Sequence, residues 1–173
     1  MSSQRRVLLE TKRFSAVERI VVRPRGTAAT LQYIEHPGSV AILPLVDEQH
    51  VCLIRSRRLT VDATLIEVPA GTREPDEPAI DTARRELAEE TGYRAGRLEE
   101  LVRFYSSPGI SNEEMWVFAA HDLTAGDPAR EENEEIENLV VSWREALAMM
   151  ERGEIRDSKT LVALLTWERL RRS

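Results

Sequence analysis

The chain has 173 residues, 42% hydrophobic and 31% charged, with 24 basic and 30 acidic residues for a formal charge of −6. That length suits one domain able to bury a sizeable core, and the balance excludes a disordered chain. The negative charge argues against nucleic acid or an anionic membrane as the main partner, and no run approaches the ~18 apolar residues that span a bilayer. The opening Met-Ser-Ser-Gln-Arg-Arg lacks the apolar stretch of a signal peptide, so the expected location is the cytoplasm. The single cysteine, Cys52, sits in the apolar run Val51–Ile54 and reads as a buried structural thiol. Apart from Lys12 and Lys159 every basic residue is arginine, which suits phosphate recognition; a codon bias explains the same count at least as well.

The first third reads as strands over Val17–Val22 and Thr30–Glu35, separated by Pro24-Arg25-Gly26. After the turn His36-Pro37-Gly38, Ser39–Val46 and Val51–Arg57 flank Asp47-Glu48-Gln49 as a hairpin, and Thr64–Val68 adds a short strand before Pro69-Ala70-Gly71. From Pro78 to Thr91 the period becomes helical, with Ile80, Ala83 and Leu87 on one face and Gly92 as the stop. Strands resume at Leu101–Ser106, Glu114–Ala120 and Leu139–Trp143. Helices follow at Arg144–Arg152 and Ser158–Arg171, the last with a stripe of Leu161, Leu164, Leu165 and Trp167 and with Asp157 or Ser158 as cap. The order is mixed α and β, with the central helix embedded between strands.

In Arg85-Glu86-Leu87-Ala88-Glu89-Glu90 the three glutamates fall at i, i+3 and i+4 and project from one side of the helix. Glu86 and Glu90 repel each other, and near the helix C-terminus the macrodipole favours cations over carboxylates. Two readings meet this pattern. One is a solvated face laced with Arg–Glu pairs. The other is a site for Mg²⁺ or Mn²⁺, hard cations that take oxygen ligands, with Arg85 pairing Glu89 and orienting the carboxylates.

The longer string decides between them. Gly71-Thr72-Arg73-Glu74-Pro75-Asp76-Glu77, then Arg85-Glu86-Leu87-Ala88-Glu89-Glu90-Thr91-Gly92-Tyr93, matches G-x5-E-x7-R-E-U-x-E-E-x-G-U, where U is a bulky residue. This resembles the signature box of the Nudix hydrolases. Its seven fixed residues, at ordinary frequencies, make a chance match about one in a million. Tyr93 is bulky but not aliphatic.

The resemblance implies an α/β fold, a Nudix-type α/β/α sandwich with a mixed sheet over residues 39–173, preceded by N-terminal antiparallel strands within 1–38. It implies metal-dependent water attack on a nucleoside diphosphate derivative, with Glu86, Glu89 and Glu90 as metal ligands and Mg²⁺ or Mn²⁺ as the ion.

Features outside the box resemble one subfamily, the ADP-ribose pyrophosphatases. Pro108 lies fifteen residues past Tyr93, as a proline does there, and Glu67-Val68-Pro69-Ala70-Gly71 resembles the subfamily's Glu-x-Pro-Ala-Gly lead-in. By that resemblance the Ala70 carbonyl is a metal ligand and Glu67 belongs to the substrate side. Arg55-Ser56-Arg57-Arg58 is similar to a segment whose last arginine contacts the diphosphate or terminal ribose, which assigns Arg58; a solvated strand-end arginine is the other reading. Glu113 matches a glutamate near the substrate.

The acidic stretch Glu131-Glu132-Asn133-Glu134-Glu135 read alone is a solvated loop. In the subfamily such a loop supplies the base and one more metal ligand, which implies Glu132 as general base and Glu134 as ligand; a one-residue shift hands the base role to Glu131 or Glu135. Arg85 completes the catalytic assignments. The first strands exchange between subunits in related enzymes, which implies a homodimer. Phe14 and Tyr33 are aromatics that could stack on adenine, but buried packing is the preferred reading of both, and neither is assigned to the site.

Other nucleotide sugars such as GDP-mannose, or dinucleoside polyphosphates, are rival substrates. A non-catalytic ADP-ribose sensor is the rival of another class, and the intact box weighs against it. The sequence holds no G-x-x-x-x-G-K-[ST], G-x-S-x-G or H-E-x-x-H.

Overall fold

Strand β4 (Ser39–Pro44) is buried along its whole length, as expected of a continuous apolar run covered on both faces. Its alternate side chains feed two separate clusters. Val40 and Ile42 meet Phe118 and Ala120 of β9 (Glu114–Thr124) and Ala83 and Leu87 of α1 (Ala79–Thr91). Ala41 and Leu43 meet Val117 together with Ala146 and Met149 of α2 (Trp143–Glu151) and Ala163 and Leu164 of α3 (Ser158–Arg171). The result is an α/β/α sandwich, described over residues 5–130 and 135–172 of a computed structural model.

The central sheet has the order β7-β4-β9-β8. In it β4 runs parallel to β9, while β7 (Ala70–Thr72) and β8 (Arg94–Tyr105) pair antiparallel, so the sheet is mixed. A second sheet, β10-β5-β6, is antiparallel throughout, from β5 (His50–Arg58), β6 (Ala63–Glu67) and β10 (Ile136–Ser142). The third, β1-β2-β3, comprises Arg5–Glu10, Ser15–Val22 and Ala28–Glu35. It is tied to the main body where Ile34 donates to the Ile110 carbonyl at 2.8 Å and His36 N–H donates to Asn112 Oδ1 at 2.8 Å.

Strands β1, β7 and β8 differ most from the sequence expectation. Strand β1 is exposed at every residue, so Arg-Arg-Val-Leu-Leu-Glu carries no in–out alternation to read. Strand β7 is only three residues long, and β8 starts seven residues before Leu101 and carries an irregularity between Glu100 and Val102. Side-chain facing also needs correcting. Ile80 is 40% exposed, because the buried face of α1 runs through Ala83, Leu87 and Glu90 rather than back through Ile80. On α3, Leu165 is 54% exposed, and the helix turns Lys159, Thr160, Ala163 and Leu164 inward instead. Asp157 is the cap, accepting the Thr160 N–H at 3.0 Å.

Cys52 is fully buried, and burial pushes its thiol up to about 11. No helix among the described residues is long and apolar enough to cross a membrane. Leu87→Ala is expected to cost about 2–5 kcal/mol, whereas Ile80→Ala should stay within about 0.5 kcal/mol of wild type, as denaturant unfolding can measure.

Candidate active site

Gly71, where the box begins, packs directly against its last part. A Cβ built on Gly71 would fall on the Glu86 carboxylate, so a side chain at this position would have to displace the end of Glu86 from its place against β7. One residue earlier, the Ala70 N–H donates to Glu90 Oε2 at 2.9 Å, and Glu90 is only 4% exposed. Strand β7 and helix α1 are therefore joined through two of the expected ligands.

Arg85 handles the remaining charge. Its Nη1 donates to Glu86 Oε1 at 2.7 Å and to Glu89 Oε2 at 3.0 Å, the i,i+4 pairing. Its other edge donates to Glu77 at 3.3 and 3.2 Å, and Glu77 also accepts from the Thr82 hydroxyl at 2.8 Å. These bonds hold the Arg85 guanidinium charged well above its ordinary value, Glu77 first, and hold the Glu77 carboxyl below its own. The fixed glutamate of the box is thus the brace of its fixed arginine.

The C-terminus of α1 is closed by Gly92 in the left-handed conformation, where a Cβ would strike the Gly126 carbonyl. Beyond it, Ala129 N–H donates to the Glu89 carbonyl at 2.9 Å, Arg130 Nε to the Glu90 carbonyl at 2.8 Å, and Asn138 Nδ2 to the Thr91 carbonyl at 2.8 Å. Carbonyls that a helix end leaves without intrahelical partners are met in this way. Glu132 and Glu134 lie outside the described residues; their flanks do not, since Arg130 is fixed to α1 and the Glu135 carbonyl accepts from Arg57 N–H at 3.1 Å.

A cleft of about 1170 Å³ collects most of the expected residues: Glu86, Glu89 and Glu90 with Ala70 and Gly71, then Arg58, Arg85 and Glu113. Glu113 accepts from the hydroxyls of Ser39 at 2.7 Å and Ser106 at 2.6 Å. Glu67 is placed differently from the expectation. Its carboxylate is 1% exposed, beneath Arg58, which donates Nε to Oε1 at 2.8 Å and Nη2 to Oε2 at 2.7 Å. Any part it has in substrate binding runs through Arg58. Burial alone would raise the Glu67 carboxyl; the Arg58 fork and Lys159 outweigh it and hold the group below the usual carboxylate value.

Pro108 sits in the exposed turn between β8 and β9 and does not line the cleft. Among the other residues lining the cleft, Phe14 is the aromatic named above for possible adenine stacking, whereas its neighbours Thr11 to Arg13 and Ser15, and Lys159, had no such reading. Lys159 lay on a helix read for its apolar stripe and its cap, and neither of these points to a lysine. A second cavity of about 770 Å³, beside His121, Trp143 and Trp167, shares none of these residues.

The donor set fits a hard divalent cation: carboxylate oxygens from three positions of one helix around a cleft, one of them anchored on Ala70. No three His, Cys, Asp or Glu side chains among the described residues are already gathered at ligand spacing. Glu86 and Glu89 are held by Arg85, so a cation would share them with its guanidinium.

The NUDIX domain family pattern matches residues 35–164 of the chain. The chain belongs to the Nudix family. This Nudix chain is 38% identical over 143 residues to an ADP-ribose pyrophosphatase of Bacillus subtilis (strain 168), covering 82% of this chain and 77% of that protein. It is 37% identical over 136 residues to a GDP-mannose pyrophosphatase of Cronobacter sakazakii, covering 73% of this chain and 71% of that one. A solved structure described as an ADP compounds hydrolase superposes with a TM-score of 0.83 over 98% of this chain and 92% of its own, at 20% identity, a likeness of fold.

Gly71→Ala is expected to push Glu86 off β7 and weaken Mn²⁺ binding about 10- to 100-fold while the protein stays folded, read by electron paramagnetic resonance titration beside circular dichroism.

Proposed function

We propose that this chain hydrolyses the diphosphate of ADP-ribose to AMP and ribose 5-phosphate, or that of a related nucleoside diphosphate sugar to the matching nucleoside monophosphate and sugar phosphate. The observation that carries the reading is the joining of an intact carboxylate helix and the cationic Arg58 in one cleft. Identity to an ADP-ribose pyrophosphatase over most of the chain supports the substrate class. GDP-mannose is the second reading, favoured by the 37% identical pyrophosphatase for that sugar nucleotide. An ADP-ribose sensor without turnover is the reading of another class, and the complete box residues weigh against it.

Glu86, Glu89, Glu90 and the Ala70 carbonyl would hold Mg²⁺ or Mn²⁺, with Glu134 as a further ligand. Such an ion, when bound, neutralises diphosphate charge and lowers the pKa of the attacking water. Arg85 keeps Glu86 and Glu89 oriented, and Arg58 binds the diphosphate through whatever of its guanidinium Glu67 leaves open. Glu113, steadied by two serine hydroxyls, lies near the substrate. Glu132 takes the proton of the water as its oxygen attacks phosphorus; the bridging P–O bond breaks and the leaving phosphate keeps the electron pair. The assignment of the base rests on the subfamily resemblance; the neighbouring Arg130 is held on α1 by its bond to the Glu90 carbonyl.

Residues 1–38 form the N-terminal strand region and 39–173 the hydrolase domain. The exposed apolar side chains of the first sheet, Val7, Leu9, Ile20 and Leu31 among them, suit a homodimer interface. The protein acts in the cytoplasm on a small molecule, with neither nucleic acid nor membrane as partner.

Incubation with ADP-ribose, GDP-mannose and diadenosine polyphosphates plus Mg²⁺ tests this, with AMP and ribose 5-phosphate expected as the dominant products. Binding of ADP-ribose without turnover under Mg²⁺ or Mn²⁺ would sink the enzyme reading. Glu132→Gln is expected to cut kcat by about 10²–10⁴-fold with metal binding largely kept; near wild-type turnover would move the base to Glu131 or Glu135.

A further inference from the structure

Lys159 is one of only two lysines in the chain, and it is buried, with 9% of the residue exposed. It sits in the first turn of α3 and lines the same cleft as Arg58 and the glutamates of α1. Its ammonium pairs with Glu67 Oε2 and donates to Asp157 Oδ1 at 2.9 Å. Glu67 Oε2 is also the acceptor of Arg58 Nη2. One buried carboxylate therefore serves two cations, both of which border the cleft.

Burying an ion pair costs desolvation, and core stability alone is commonly met as well by apolar residues of similar size. The arrangement has a second consequence. A lone Arg58–Glu67 pair would be neutral, whereas Arg58, Lys159 and Glu67 together carry one positive charge. Asp157 balances the total charge of the four groups, and its other oxygen caps α3 by accepting from Thr160 N–H at 3.0 Å and Thr160 Oγ1 at 2.6 Å, so Lys159 divides its charge between Glu67 and Asp157. The docking is fixed from the other side too, where the Val68 N–H donates to Thr160 Oγ1 at 2.9 Å. The first turn of α3 is thus bolted to the chain just after Glu67.

We propose that Lys159 is a positioning residue for the diphosphate: by sharing Glu67 with Arg58 it fixes that carboxylate and leaves part of the Arg58 charge available to an anion in the cleft. This rests on the reading of the cleft as a nucleoside diphosphate site. Lys159 acts through Arg58, so its contribution falls on binding rather than on the chemical step.

The test uses the full chain as wild type, Lys159→Met and Lys159→Gln, the second keeping a donor to Glu67 without the charge and serving should the first fail to fold. ADP, which carries the diphosphate but lacks the terminal ribose of ADP-ribose, is titrated by calorimetry, and KM and kcat are measured for ADP-ribose. The expected result is a rise of about tenfold in both the ADP Kd and KM in each variant, with kcat within about threefold. On an Arg58→Met background the Lys159 substitution should add almost nothing. A folded variant whose ADP Kd and KM stay within about twofold of wild type, a loss confined to kcat, or full additivity with Arg58→Met would each overturn the proposal. Wild-type protein that binds ADP but leaves ADP-ribose intact removes the proposed substrate alone, and Lys159 is then judged on the ADP Kd.

Discussion

Three carboxylates on one side of a helix, near its negative end, repel each other, and much of this structure is arranged to keep them there. Gly71 gives Glu86 the space that any side chain would fill, Ala70 donates its N–H to Glu90, and Arg85 bridges Glu86 to Glu89. Arg85 is itself braced by Glu77, which Thr82 steadies. Spacing in the box follows from these contacts: glycine where strand and helix touch, glutamate before the helix to hold the arginine, and glycine after it to close the turn. The arrangement is disfavoured locally and is supported by long-range contacts, as functional sites commonly are.

The sandwich supplies those contacts. Because β4 feeds opposite clusters with alternate residues, α1 on one face and α3 on the other are held against the same strand. The cleft therefore takes its carboxylates from α1, its backbone from β7, and its cations from the end of β5 and the start of α3. Glu67 links the last two, with Arg58 and Lys159 on a single carboxylate.

Elements with a clear period were legible in the sequence: α1, α3 and β5 lie within a residue of the expected bounds, and β4 within two. Strand β1 was not, since an edge strand exposed throughout carries no alternation, and β7 is too short to show any. The box glutamates were legible because their spacing is rigid along one helix. Lys159 was not, because its meaning depends on Glu67, 92 residues away in sequence. Ile80 misled for a related reason: a helix face read from apolar spacing does not show where the helix sits on the sheet, and Glu90 took a buried place that an apolar residue would ordinarily fill.

If the repulsion among these glutamates is kept for a cation, adding the cation should stabilise the fold through them. Thermal unfolding of wild type and Glu90→Gln with and without Mg²⁺ tests this most directly. At about a hundredfold over Kd the wild-type melting temperature should rise by roughly 5 °C or more, and that of Glu90→Gln should hardly move. An equal shift in both proteins, or none in wild type, would contradict the account of α1 as a metal-holding helix.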